Sequence, residues 1–246
     1  MTQCHDPEPK KLPPPYNRKP SLCEAFERVT RAGEHLEELK TVIGLIKFEA
    51  GAGPTEAEMR ETAEQLGNHR EIIGWMSFET PKVSMGIGIL IGETCYNLRS
   101  ALDYLVFNLS ALDSGLDYQG TQFPIEDRQK NFRFRVDRRG ILGGMNTTHR
   151  AEIEGQQPYK GSKWSKTLKE ISNPDKHRGL TVAAMDAMIG GTVMRANLPD
   201  GRQEVHTSVN VAPLVLFSDG TPVVQTLEEV KTQVSLVLET FQTEFK

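Results

Sequence analysis

Apolar residues recur along the chain with two periods, and the change from one to the other predicts the architecture. From Ser21 onward, Phe26, Val29, Leu36, Leu39, Ile43 and Ile46 return at largely helical spacing, predicting an amphipathic helix to about Phe48. Ser21 and Glu24 form a capping box behind Pro20. Gly51-Ala52-Gly53-Pro54 then breaks the helix, and Thr55 and Glu58 cap a weaker acidic helix towards Leu66. Residues 71–83 carry Ile72, Ile73, Trp75 and Phe78 and read as strand or irregular packing, with Pro81 preventing one continuous helix.

The next element, Val83 to Leu112, lacks proline and is apolar around much of its circumference, as a central buried helix should be. Arg128 to Arg139 alternates Phe132, Phe134 and Val136 with Arg133, Arg135 and Asp137; period two fits a strand with a basic outer face, though its first half also suits a helix. Asn146–Gln157 and Ser162–Ser172 read as short helices. Asn173-Pro174-Asp175 reads as cap, first helical residue and early-turn acid of a further helix carrying Lys176, His177 and Arg178. From Gly190 the period shortens. Thr192–Ala196, Val205–Leu216 and Val223-Val224 are rich in β-branched residues, separated by Pro199-Asp200-Gly201 and Asp219-Gly220 turns. Thr226 and Glu229 cap a final helix with Val230, Val234, Val237, Leu238, Phe241 and Phe245 on one stripe.

The predicted class is α+β, mainly α: a helical bundle around a long central helix, with a small antiparallel β-sheet in the C-terminal part. Residues 1–20 hold six of the fourteen prolines and read as a disordered tail. Residues 21–246 then form a single domain, with a helical core over 21–189 and the sheet and C-terminal helix over 190–246. An apolar content of 37% supports a packed core and excludes global disorder. No run approaches the ~20 apolar residues of a membrane helix, and residues 1–20 lack the apolar segment of a secretory leader. Three cysteines, Cys4, Cys23 and Cys95, are too scattered for a CxxC motif and odd in number. A cytoplasmic protein without membrane contact is the expectation.

Charge refines this picture. The net charge is −4, yet residues 128–178 hold thirteen Lys/Arg against five Asp/Glu, a balance of +8. Such a patch focuses positive potential on an anionic ligand, or else is a solvated face paired with acidic helices. No metal, hydrolase or phosphate-loop motif is present, so no metal or cofactor is expected, and His149 reads as isolated. Gly86-x-Gly88-x-x-x-Gly92 is one residue too long for a dinucleotide fingerprint and suits close helix packing better.

Two polar constellations stand out. Asn97-Leu98-Arg99-Ser100-Ala101-Leu102-Asp103-Tyr104 lies inside the apolar central helix, where Arg99 and Asp103 are i,i+4 neighbours able to pair. Asn173 to Arg178 lies at a predicted helix N-terminus, where free amides favour an anion and Lys176, His177 and Arg178 add donors. Both are equally readable as structural clamps and caps.

Glu34-His35-Leu36, Gly92-Glu93 through Asp103, Phe123-Pro124-Ile125, Gln157-Pro158-Tyr159 and Asn173 to Arg178 resemble an uncharacterised bacterial and phage protein family. Its central helix reads G-[DE]-x-x-H-N-L-R-S-A-L-D-H, followed by FPI, QPY and N-x-D-K-H-R. The resemblance spans about residues 25–185. Its arginine-to-histidine spacing is in turn similar to that of HEPN helical domains, many of them metal-independent ribonucleases or nucleotide-transferring toxins. The resemblance implies Arg99 as the phosphate-holding arginine, but Tyr104 and Tyr96 stand at the two histidine positions, and a phenol is a poor base at neutral pH. The implied function is binding of a phosphate ligand, RNA or a nucleotide, in a sequestering role. Asn97, Arg99, Asp103, Tyr104, Lys176, His177 and Arg178 would contact the ligand. A metal-independent ribonuclease or nucleotide-processing enzyme using His177 and Arg99, and a structural or interaction protein without a small ligand, are the alternatives; a homodimer is a candidate assembly.

Overall fold

The computed structural model describes residues 19–47, 49–50, 57, 78–79, 82–177, 183–197 and 203–245. The proline-rich tail, the acidic helix expected over 55–66 and the Pro199-Asp200-Gly201 turn lie outside these residues, apart from single positions. The fold is mainly helical. In contrast to the single domain expected over 21–246, the chain divides into two compact units. One comprises residues 1–40, 85–182 and 223–246, the other 41–84 and 183–222.

The helical unit is assembled from amphipathic stripes. Helix α1, Cys23–Gly44, follows Leu22 and buries Ala25, Val29, Ala32, Leu36 and Leu39, a run of three- and four-residue steps along one face. Helix α2, Met85–Ser114, is the long element expected at the centre. It buries Ile87, Leu90, Ile91, Leu98, Leu102, Leu105, Val106 and Leu109, and also Gly88 and Gly92, which agrees with glycines used for packing. Each such Leu or Ile contributes about 1.5–3 kcal/mol through removal from water. Helix α6, Val223–Gln242, buries Val223, Leu227, Val230, Val234, Val237, Leu238 and Phe241 and packs against α2 and α5. It starts at Val223, so Val223-Val224 opens a helix instead of forming the expected strand. A contact between Lys40 Nζ and Glu228 Oε1 at 2.6 Å ties α1 to α6.

Two other departures concern the basic region. Residues 129–138 form a short helix α3, Gln129–Arg133, which the first half of the segment also suited, continued by a π-helical turn, Phe134–Arg138, instead of the strand that its period of two suggested. Only Phe132 of the alternating apolar residues is buried, so the segment has no continuous inner face to support a half-buried strand. Helix α4, Thr147–Gly155, is capped by Asn146, whose side chain accepts the His149 N–H. Helix α5 runs unbroken over Lys163–His177. Asn173-Pro174-Asp175 therefore continues a helix instead of starting one. Pro174 lacks an N–H, so the helix forgoes the one bond to the Glu170 carbonyl and still continues for three residues to His177.

In the second unit, β1 (Glu49–Ala50) pairs antiparallel with β2 (Phe78–Glu79). The longer β3 (Ala183–Asn197) pairs antiparallel with β4 (Gln203–Phe217), in register from Ala183 opposite Phe217 to Asn197 opposite Gln203. This is the antiparallel sheet expected, begun seven residues earlier than the sequence suggested.

Candidate functional site

Arg99 and Asp103 meet at a backbone segment. The Phe123 N–H donates to Asp103 Oδ1 at 2.8 Å, and Arg99 Nη2 donates to the Phe123 carbonyl at 3.2 Å. One helical turn thus grips both polar groups of one peptide residue. Gln157, fully buried, completes the grip three residues on. Its Nε2 donates to the Pro124 carbonyl at 2.9 Å and its Oε1 accepts the Glu126 N–H at 3.0 Å. Residues 123–126 have no strand neighbour, so side chains replace the ladder that buried backbone requires. Burial lowers the Arg99 pKa; Asp103 opposes the shift, Arg135 adds to it and Glu126 opposes it. Arg135 is itself held, donating to Glu126 Oε1 at 2.9 Å and Gln122 Oε1 at 2.5 Å. Arg99 and Asp103, read as ligand-binding residues, thus have a definite structural task.

Asn97 and Tyr104 take part in a different cluster, with Arg28 of α1. Arg28 Nη1 donates to Asn97 Oδ1 at 3.2 Å and Nη2 to the Tyr104 hydroxyl at 3.4 Å. The guanidinium carbon also lies 6.0 Å from the Tyr96 ring centroid and 5.6 Å from that of Tyr104, within cation–π range of both. The Tyr104 hydrogen bond holds the Arg28 pKa above its ordinary value against the pull of desolvation. Beside this cluster, Arg28, Arg31, His35, Glu38, Ile89, Glu93 and Tyr96 border a cavity of about 450 Å³. On the other side of Arg28 the walls carry Glu24, Glu27 and Glu34. This carboxylate surround disfavours a phosphate. Sequence reading passed over Arg28, although Arg28, Arg31 and His35 at i, i+3 and i+7 share one face of α1.

Lys176 and His177 occupy the last turn of α5, and Arg178 lies outside the described residues. The anion site expected from free amides is therefore not formed there, because a helix C-terminus presents carbonyls. No second helix begins at Asn173.

The α3 segment retains the strongest basic character. Arg128, Lys130, Arg133, Arg138 and Arg139 are exposed, and among the described residues none forms an ion pair. Arg135 is the exception, engaged with Glu126. Phe134, read from its alternation as inward-facing, is 53% exposed. Arg139 stacks over its ring at 5.6 Å. These two residues are five apart, a spacing that a π-helical turn nearly superimposes and an α-helix does not. Nearby, Tyr159 packs edge-on against Phe132 and donates to Glu154 Oε1 at 2.8 Å, with burial first and Glu154 second raising its pKa.

The described residues contain no cluster of three or more His, Cys, Asp or Glu placed to hold a metal ion, and no helix long and apolar enough to cross a membrane. No protein-family model, curated protein or solved structure matches the chain.

Proposed function

We propose that the protein binds single-stranded RNA, or a nucleotide of the same chemistry, through the exposed face of α3 and its π-helical turn. The observation that carries this reading is the set of five exposed cations without acidic partners among the described residues, on a segment that also exposes an aromatic ring stacked by Arg139. A solvated basic face would draw carboxylates from neighbouring helices, as Arg135 draws Glu126. Guanidinium and ammonium groups neutralise backbone phosphates, while a ring and a stacked guanidinium accept a base irrespective of sequence. Arg99 serves this site indirectly, by fixing residues 123–126 just before α3. Binding without cleavage is the reading favoured by Tyr96 and Tyr104 standing at the two histidine positions, engaged with Arg28, and by the lack of a histidine among residues 128–139.

Fluorescence anisotropy with a labelled oligouridylate tests the reading. Five phosphate contacts, at roughly 0.7 each for a single strand, give a log–log salt slope near −3.5. The triple charge reversal Arg128→Glu, Lys130→Glu, Arg138→Glu should abolish binding at moderate salt, and Phe134→Ala should weaken it about tenfold at an unchanged slope. A slope near zero, or full binding by the triple variant, overturns the proposal.

A further inference from the structure

A cavity of about 800 Å³ in the helical unit lies between the start of α5 and the first turns of α6. Its size is that of a small-molecule site. Trp164 supplies an aromatic wall, backed by the buried Phe123 ring at 6.4 Å. The indole N–H, the Gln233 amide and the Lys163 ammonium have no partner among the described residues. Ser162 Oγ, at the same rim, is buried and likewise without a hydrogen-bond partner.

Charge is divided between the walls. Lys160 and Lys163 lie on the α5 side, Glu228 and Glu229 on the α6 side. Glu228 is engaged by Lys40 at 2.6 Å, and Lys160 lies 3.8 Å from Glu154. Lys163 and Glu229 are left without ion-pair partners, although Glu229 accepts from the Gln225 amide at 3.1 Å. A polyanion would be repelled by the acidic wall, and a cation by the basic one. We infer that this cavity binds a small zwitterion with a planar apolar body, the chemistry of an aromatic amino acid or its dipeptide. The carboxylate meets Lys163, the ammonium meets Glu229, and the ring lies on Trp164. This site stands independently of the RNA-binding reading.

The test titrates L-phenylalanine into the full chain by calorimetry, with Trp164 fluorescence followed in a Trp75→Phe background. L-phenylalaninamide, lacking the carboxylate, and N-acetyl-L-phenylalanine, lacking the ammonium, are the controls. Each should bind about tenfold more weakly than the parent, the worth of one charged hydrogen bond. Lys163→Met should weaken the parent and leave the amide unaffected; Glu229→Gln should weaken the parent and leave the N-acetyl compound unaffected. Equal binding of all three compounds, no saturable binding of phenylalanine, or preference for adenosine monophosphate overturns the assignment.

Discussion

Gln157→Leu removes one side chain of nearly constant volume and tests whether the 123–126 segment depends on side-chain partners. In the native chain its amide serves three backbone groups: the Pro124 carbonyl, the Ile153 carbonyl at 3.0 Å and the Glu126 N–H. They are not equally vulnerable. The Ile153 carbonyl also accepts from the Gln156 N–H at 3.2 Å, so it keeps a partner. The Pro124 carbonyl and the Glu126 N–H are orphaned. At about 1–3 kcal/mol for each of the two unsatisfied groups, the substitution should cost about 2–6 kcal/mol. Urea unfolding followed by far-UV circular dichroism reads this as a lower midpoint at unchanged slope. Gln157→Glu gives a second readout. Its buried carboxyl should have a folded pKa above the unfolded value, because burial disfavours the charged form. When protonated it can still donate to Pro124, so stability should be regained as pH falls through that folded pKa and lost as pH rises through it. A loss below about 1 kcal/mol for Gln157→Leu would refute the clamp, since one orphaned group alone would exceed it.

Arg28→Ala should destabilise by about 1–2 kcal/mol in thermal melts, because it removes two ring contacts and leaves Asn97 Oδ1 without its donor. Arg28→Lys should recover only part, since one ammonium cannot reproduce the planar two-ended contact; an unchanged melt for Arg28→Ala would contradict this. The Asp219 carboxyl should titrate below 3.8, chiefly because the Thr221 hydroxyl and N–H donate to its charged form. Its stabilising contribution is present above the unfolded value and fades as pH falls through the folded one. Carbon-detected NMR of Thr221→Val should show the pKa rising towards 3.8, and no rise would exclude the hydroxyl as the cause.

The helices were legible where burial leaves a periodic mark. Helix α6 is the clearest case, with Val230, Val234, Val237, Leu238 and Phe241 spaced as a helix face requires. Residues 128–139 were misleading for a related reason. A π-turn has neither the period of two nor that of 3.6, so Phe132, Phe134 and Val136 imitated a strand. Pro174 was misread because proline at a first helical position and proline in a last turn are locally alike; only the continuation from Ile171 separates them. Arg99 and Asp103 were visible as charges that an apolar helix must satisfy. Their partner was not, because the Phe123 peptide is set by the path of a loop, and a backbone group has no sequence signature. His149 shows the same limit. It is 6% exposed, with Nδ1 2.8 Å from Asp113 Oδ2 and its ring edge-on to Phe241, although no spacing in the chain announces either contact.

The grip on residues 123–126 also fixes which length changes the chain can accept. Phe123, Pro124 and Glu126 are tethered through four backbone groups to helix α2 and to Gln157 in the loop after α4, both distant in sequence. An added residue displaces an extended chain by about 3.3 Å, more than a hydrogen bond tolerates, so one insertion would detach every tether downstream of it. Residues 123–126 thus act as a ruler of fixed length between α2 and the basic segment.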